Sequence, residues 1–283
     1  MKNIKRIVAA LLTMLLVVIM SFNVEDISDA VPAAARPSVR LPVLMYHKVL
    51  KNRNSLGKYT VLPSELEADL IYMKEHGYTT VTVEDLVAYV YNDVSLPEKP
   101  IMLTFDDGFR SYYTYVLPLL KKYESKAVMS IIGEYVDKSS EDKNLNPYLN
   151  WSQVEELSAS PYVEIQNHSY AMHKLNNRVG CTILDGESYD EYKKVIVNDV
   201  GYLQLLISGK TGYTPSAFTY PFGAMCKECK KILREMGFLA SLSSTSGVNI
   251  LTGDEDDLYE LKRINRPSGI NHDEFFKMLE EVE

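Results

Sequence analysis

Two adjacent carboxylates, Asp106 and Asp107, lie in the run Thr104-Phe105-Asp106-Asp107-Gly108. Successive side chains on extended backbone point to opposite sides, so one carboxylate can bind a metal while the other faces a reacting water, and Gly108 lets the chain turn away. By itself the triplet is equally an Asx turn that caps a following helix. His168 and His173 change that weighting. Two imidazoles on one short stretch plus one carboxylate make a three-donor set that leaves positions for water and substrate. Zinc suits such a set of two histidines and an aspartate, and nickel, cobalt or iron accept the same donors.

These groups need a scaffold that brings residues 106 and 168 together. Strands and helices alternate along the chain. Short apolar or β-branched runs predict strands at Val43 to His47, Thr79 to Val83, Pro100 to Phe105, Ala127 to Ile132, Val163 to Gln166, Ala217 to Tyr220, Leu239 to Ser243 and Leu258 to Ile264. Helical spacing predicts helices through Leu66, Leu70 and Met73 to Gly77, and over Glu84 to Tyr91, Tyr113 to Tyr123, Tyr189 to Leu206, Cys226 to Met236 and Asp273 to Glu281. Ser152 followed by Glu155 reads as a capping box for one more helix ending near Ser158. The pattern predicts one α/β domain of about seven parallel strands, open or closed into a barrel. Tyr46-His47, Asp106-Asp107-Gly108, Asn167 to His173 and Tyr220-Pro221-Phe222-Gly223 all fall at the carboxyl ends of predicted strands. Parallel folds assemble their sites on that edge.

With these motifs the sequence resembles the polysaccharide deacetylases, the NodB-homology domain of carbohydrate esterase family four, over about residues 41–270, and the resemblance implies a distorted (β/α) barrel of about seven parallel strands. The family's Thr-Phe-Asp-Asp-Gly motif is intact at 104–108; the resemblance implies that Asp106 is the catalytic base and Asp107 a metal ligand. The second motif pairs two histidines usually four residues apart. Here His168 and His173 are five apart, a spacing similar to the branch that deacetylates poly-β-1,6-N-acetylglucosamine, and both are implied to bind the metal. The third motif, usually Arg-x-Pro-Tyr, stands as Thr219-Tyr220-Pro221-Phe222, without the arginine that orients the catalytic aspartate in the family. Tyr220 and Pro221 are implied to border the substrate, and the Phe222 N–H to stabilise the oxyanion. The same branch begins with Leu-Met-Tyr-His, here Leu44 to His47, which makes His47 the implied acid. Arg263 sits where the branch carries an arginine, and either orients Asp106 or pairs on the surface. His272 follows Asn271 in what reads as a helix cap and is expected on the surface. Trp151, the only tryptophan, is the aromatic singled out for stacking on a sugar ring.

Composition narrows the remaining classes. With 38 acidic and 30 basic side chains the formal charge is −8, and no basic stripe stands out, which argues against nucleic acid or a polyanion as partner. Three cysteines are too few for a disulfide-built fold; Cys226 and Cys229 leave open a disulfide or a redox pair. Lys2, Lys5 and Arg6 precede an apolar run from Ile7 to Phe22, followed by small residues near Ala30 and Ala33. That order is an export pattern, cleaved or retained as an anchor, and any membrane association is expected through this segment alone. The chain therefore divides into an export segment at 1–30, a linker at 31–40 and a catalytic domain at 41–283, outside the cytoplasm. The expected function is metal-dependent removal of N-acetyl groups from an N-acetylglucosamine polysaccharide of the cell wall or extracellular matrix. O-acetyl esterase action on a xylan-like polymer and a non-catalytic carbohydrate-binding relic are the competing readings.

Overall fold

Runs of buried aliphatic residues decide the architecture, and the longest, Pro100–Phe105, is buried at every position. Such a run has no solvent face, as in the middle of a parallel sheet. The computed structural model describes residues 37–142 and 147–282. The export segment at 1–30 lies outside the described residues, as does the linker up to residue 36. No helix among the described residues is long and apolar enough to cross a membrane.

The strands are β1 (Val39–Leu41), β2 (Val43–Tyr46), β3 (Lys48–Val49), β4 (Thr60–Val61), β5 (Thr79–Thr80), β6 (Pro100–Phe105), β7 (Ala127–Ile131), β8 (Val163–Asn167), β9 (Ala217–Thr219), β10 (Ala240–Leu242), β11 (Asn249–Leu251) and β12 (Ile264–Asn265). The helices are α1 (Pro63–Glu75), α2 (Val83–Tyr91), α3 (Leu117–Tyr123), α4 (Gly133–Glu141), α5 (Trp151–Ser158), α6 (Tyr189–Thr211), α7 (Lys227–Glu235) and α8 (His272–Glu281). Seven strands run in the order β10-β9-β8-β7-β6-β2-β12, each parallel to its neighbour. The expected sheet of about seven parallel strands is present.

One segment joins the two edges of this sheet. Leu261 N–H donates to the Ser241 carbonyl at 2.8 Å and Arg263 N–H to the Thr245 carbonyl at 2.8 Å, on the β10 side. A few residues on, Ile264 and Asn265 pair with β2, and Arg266 N–H donates to the Met45 carbonyl at 3.0 Å. Residues 261–266 thus curl the sheet toward a barrel.

Strand alternation sorts the faces. Leu103, Phe105, Met129, Ile131 and Ile165 belong to one large core, whereas Met102 and Val128 pack in a second with Val43, Ala217 and Ala240. Toward the carboxyl edge the second face turns polar, with buried Thr104, Ser130, Gln166 and Thr219, and the Ser130 and Thr219 hydroxyls 2.7 Å apart. Two-residue periodicity carries this face forward from 102 and 104 to Asp106, from 164 and 166 to His168, and from 43 and 45 to His47. The site residues continue a pattern already set by the strands beneath them.

Several boundaries differ from expectation. Val39 and Arg40, assigned above to the linker, are already in the fold: Val39 pairs with Leu251, and Arg40 Nη2 donates to the Leu279 carbonyl at 2.7 Å. Thr82 caps α2 instead of continuing a strand, because Asp85 at the third helical position returns a hydrogen bond. The cap of α5 is Asn150 with Gln153, two residues before the expected Ser152 and Glu155; amide and carboxylate side chains do the same work there. Leu258 ends a short 3-10 turn, and of the expected 258–264 strand only Ile264 lies in one, β12, which continues to Asn265. Helix α4 was not foreseen: its mean polarity hid the buried Val136 and Ser139.

Candidate active site

Four strand ends deliver the site. β2 ends before His47, β6 before Asp106, β8 before His168 and β9 before Tyr220. His47, Asp106, Asp107, His168, His173, Tyr220, Phe222 and Arg263 line one cavity of about 400 Å³. Pro221 is buried beside it and does not line it. Backbone strain concentrates here: Asp107, Ser169 and Phe222 have φ of 78°, 67° and 58°, three of the six non-glycine left-handed residues among the described residues. Such conformations persist where surrounding structure imposes them, commonly at functional sites. Gly108 (φ 77°) continues the turn after Asp107, and a Cβ there would lie 3.3 Å from the Ile131 side chain.

Asp106 is buried against Arg263, which grips it with both ends of the guanidinium: Nη1 to Oδ1 and Nη2 to Oδ2, each 2.8 Å. Arg263 is itself held by the Ser243 carbonyl at 2.6 Å and the Thr104 hydroxyl at 3.2 Å. Burial pushes the Asp106 pKa up, but the Arg263 charge, aided by His168 and His47, overcomes it and holds the group at about 2. Asp106 is ionised throughout the neutral range. The two readings left open for Arg263 resolve in favour of orienting Asp106.

Asp107, turned away by its left-handed backbone, points Oδ1 between two imidazoles, 3.5 Å from His168 Nε2 and 3.3 Å from His173 Nε2. Three donor atoms, one from each residue, lie within 4.8 Å of one another. His168 Nδ1 sits 2.7 Å from the Thr219 carbonyl, which fixes that nitrogen as an N–H and turns Nε2 toward Asp107; burial works against the charged ring, but Asp107 and Asp106 raise its pKa. Burial, then the neighbouring His168, lowers the His173 pKa to about 4, so His173 is a neutral donor at physiological pH. Burial opposes ionisation of Asp107, yet His168 and the other imidazoles hold it below the usual carboxylate range.

This arrangement fits a divalent ion. Donors about 2.0–2.1 Å from a tetrahedral ion lie about 3.3–3.4 Å from one another, the edge length that the aspartate–histidine separations match. Asp107 Oδ1 is buried with no hydrogen-bond partner among the described residues, and so is His47 Nδ1. Buried polar atoms left unpaired at one cavity mark a place for a ligand rather than for packing. Burial lowers the His47 pKa against the pull of Asp106 and Asp107.

Trp151 requires a correction. It is 8% exposed at the start of α5, its indole N–H donates to Asp137 at 2.7 Å, and it does not line the cavity. A lone tryptophan carried no signal to separate packing from stacking. The aromatics that do line the cavity are Tyr59, Phe109, Tyr148, Tyr220 and Phe222. Tyr59 packs on His47 with ring centroids 4.7 Å apart, and Phe222 on His173 at 4.1 Å. Phe109 follows the Asp-Asp-Gly motif directly, a positional clue that was available. Lys48, Thr60 and Ser244, also on the wall, carried none. His272 opens α8 away from the cavity, beside Asp273. The three thiols are free, with Cys226 capping α7 and Cys181 and Cys229 buried.

A curled parallel sheet that gathers an aspartate pair and two histidines at its carboxyl edge defines an α/β barrel-type enzyme scaffold. The polysaccharide deacetylase family pattern matches residues 93–241, and the chain belongs to that family. It is similar to the poly-beta-1,6-N-acetyl-D-glucosamine N-deacetylase of Escherichia coli (strain K12), 26% identical over 227 residues, 72% of this chain and 34% of that protein. The chain thus spans about a third of that relative's length. YxkH of Bacillus subtilis (strain 168), whose name places it among the polysaccharide deacetylases, is 27% identical over 258 residues, 91% of this chain and 82% of that one. The solved structure of a de-N-acetylase from Aggregatibacter actinomycetemcomitans has the same fold: TM-score 0.72 at 22% identity, covering 85% of this chain and 100% of that one.

Proposed function

We propose that this chain is an exported, metal-dependent N-deacetylase that releases acetate from N-acetylglucosamine units of a cell-wall or extracellular polysaccharide. The observation that carries the reading is the ionised Asp106, gripped by Arg263, beside the Asp107–His168–His173 donor set. The name of the Escherichia coli relative favours a β-1,6-linked polymer. The basic-then-apolar pattern at residues 2–22 supports export.

Asp107, His168 and His173 would hold the ion, zinc by preference for this donor set. When bound, a divalent metal supplies Lewis acidity, which lowers the pKa of water and polarises the acetyl carbonyl. The protein's own groups do the rest. Asp106 accepts the proton of the attacking water, and its pKa of about 2 keeps it ready to do so at neutral pH. The Phe222 N–H donates to the oxygen that gains charge. As the C–N bond breaks, the His47 imidazolium gives its proton to the departing amine; burial makes that imidazolium a readier donor. Tyr220 and Pro221 shape the turn that carries Phe222, while Tyr59, Tyr148 and Phe222 offer faces on which sugar rings stack.

The test measures acetate and free primary amine from β-1,6-linked N-acetylglucosamine oligomers, chitooligosaccharides and peptidoglycan, with metal content determined in parallel. Both products are expected, lost on chelation and restored by zinc or cobalt. Acetate without amine would point to ester cleavage instead. Asp106→Asn should abolish release with metal content nearly unchanged, and His168→Ala should lose both. Full activity in Asp106→Asn would sink the assignment.

A further inference from the structure

The loop from His168 to His173 leaves the sheet and must satisfy its backbone without regular structure. His168 N–H donates to the Ile131 carbonyl across the sheet, Ser169 N–H to Asn167 Oδ1 at 2.9 Å, and Met172 N–H to Ser169 Oγ at 3.2 Å. The two amides at its centre are taken by one residue 29 and 28 positions away: Tyr170 N–H donates to Asp199 Oδ1 at 2.8 Å and Ala171 N–H to Asp199 Oδ2 at 2.9 Å. The loop carbonyls face the start of α4: Ser169 O accepts from Gly133 N–H at 3.2 Å and Tyr170 O from Glu134 N–H at 2.8 Å. A Cβ at residue 133 would fall 2.5 Å from Tyr170 Cδ2, so only glycine permits this docking.

Asp199 is a half-buried carboxylate beside an apolar helix face. Ile196, Val200, Leu203 and Ile207 form the buried face of α6, and residue 199 lies on that side by helical spacing. Burial raises the pKa of Asp199, the mark of a desolvated carboxylate, and capture of two adjacent amides offsets that cost.

We propose that Asp199 is a positioning residue for the metal-binding pair: its carboxylate spans the middle of the loop and thereby sets the separation and direction of His168 and His173. Asp199 touches neither histidine. It acts through Tyr170 and Ala171, and it fixes the part of the loop that neither the sheet nor α4 holds by its N–H groups. The proposal rests on the reading of Asp107, His168 and His173 as metal ligands.

The experiment measures Zn(II) and Co(II) affinity of the full chain by competition with a chromophoric chelator, together with the visible absorption of the cobalt form. Asp199→Ala should weaken both ions at least ten-fold, within the roughly 10–100-fold range for residues that orient metal ligands from behind, and should alter the cobalt bands. Asp199→Asn, which keeps one acceptor oxygen, should show a smaller loss of the same kind and serves as the test if the alanine variant fails to fold. Ile196→Ala, a cavity on the same face of α6, should lower the melting temperature while leaving affinity and spectrum as in the wild type. Wild-type affinity and spectrum in the Asp199 variants overturn the proposal, as does an equal loss in Ile196→Ala. A wild-type chain that binds neither ion defeats the metal reading itself, and this proposal with it.

Discussion

Arg263→Gln removes the charge that keeps Asp106 ionised while leaving a side chain able to donate a hydrogen bond. In the wild type both carboxylate oxygens are 2.8 Å from guanidinium nitrogens, and both residues are almost wholly buried. With charge centres about 4 Å apart and an effective dielectric near 20, the pair interacts by about 4 kcal/mol. At about 1.4 kcal/mol per pKa unit this is about three units, which would carry Asp106 from about 2 to near 5. The acid limb of kcat/KM for acetate release, if Asp106 is the base, should therefore move from below the workable range to near pH 5. Stability should respond as well. A carboxylate depressed below its unfolded pKa of about 3.9 stabilises the fold fully above that value and loses the contribution as pH falls toward 2. The variant should lack this acid-side loss but be less stable at pH 7 by about 3–5 kcal/mol, the usual result of breaking a buried pair. Arg263→Lys, with charge but no fork, should fall between. An acid limb and melting temperature both unchanged in Arg263→Gln would refute the reasoning.

Two further perturbations test separate parts of the molecule. His47→Gln should lower kcat by about 10²–10⁴ with metal content and KM little changed, as loss of a proton donor does; an unaltered kcat removes His47 from the mechanism. Asp69→Asn should cost about 3–5 kcal/mol, because it removes the charge that pairs with buried Arg266 at 2.9 and 3.0 Å and leaves one oxygen where two served Arg266 and, at 2.8 Å, the Tyr46 hydroxyl. Thermal unfolding should show a drop of roughly 6–20 °C for a domain of this size, and no drop would mean that the buried pair adds nothing net.

The sheet was legible because its strands are buried on both faces and so appear as uninterrupted apolar runs, Pro100–Phe105 most clearly. The site was legible where polar groups interrupt those runs at their carboxyl ends, as Asp106 and His168 do. Short elements were not: β3 and β4 are two residues each, too brief for any periodicity, yet Lys48, Tyr59 and Thr60, in or beside them, line the cavity. Aromatic roles were equally hidden, since stacking on a ligand and packing in a core demand the same side chain. Trp151, expected to stack, packs at the start of α5, and Tyr148 lines the cavity instead. Asp199 had no signal at all, because a carboxylate in mid-helix reads as a solvated face until the loop that it captures is seen.

Thr219 stands where the resembling motif carries an arginine, and Asp106 still has a buried cation beside it. Asp106 needs a fixed cation at a point in space, and any strand end bordering that point can supply it. Thr219 on β9 instead gives its carbonyl to His168 and its hydroxyl to Ser130. The cation comes from Arg263, on the segment whose backbone bonds to Thr245 on one side and, three residues on, to Met45 on the other. That placement couples the ionisation of Asp106 to the joining of the sheet's edges. A displacement of residues 261–266 that breaks the seam also withdraws the guanidinium, and His168 and His47 alone are then left to offset the burial of Asp106.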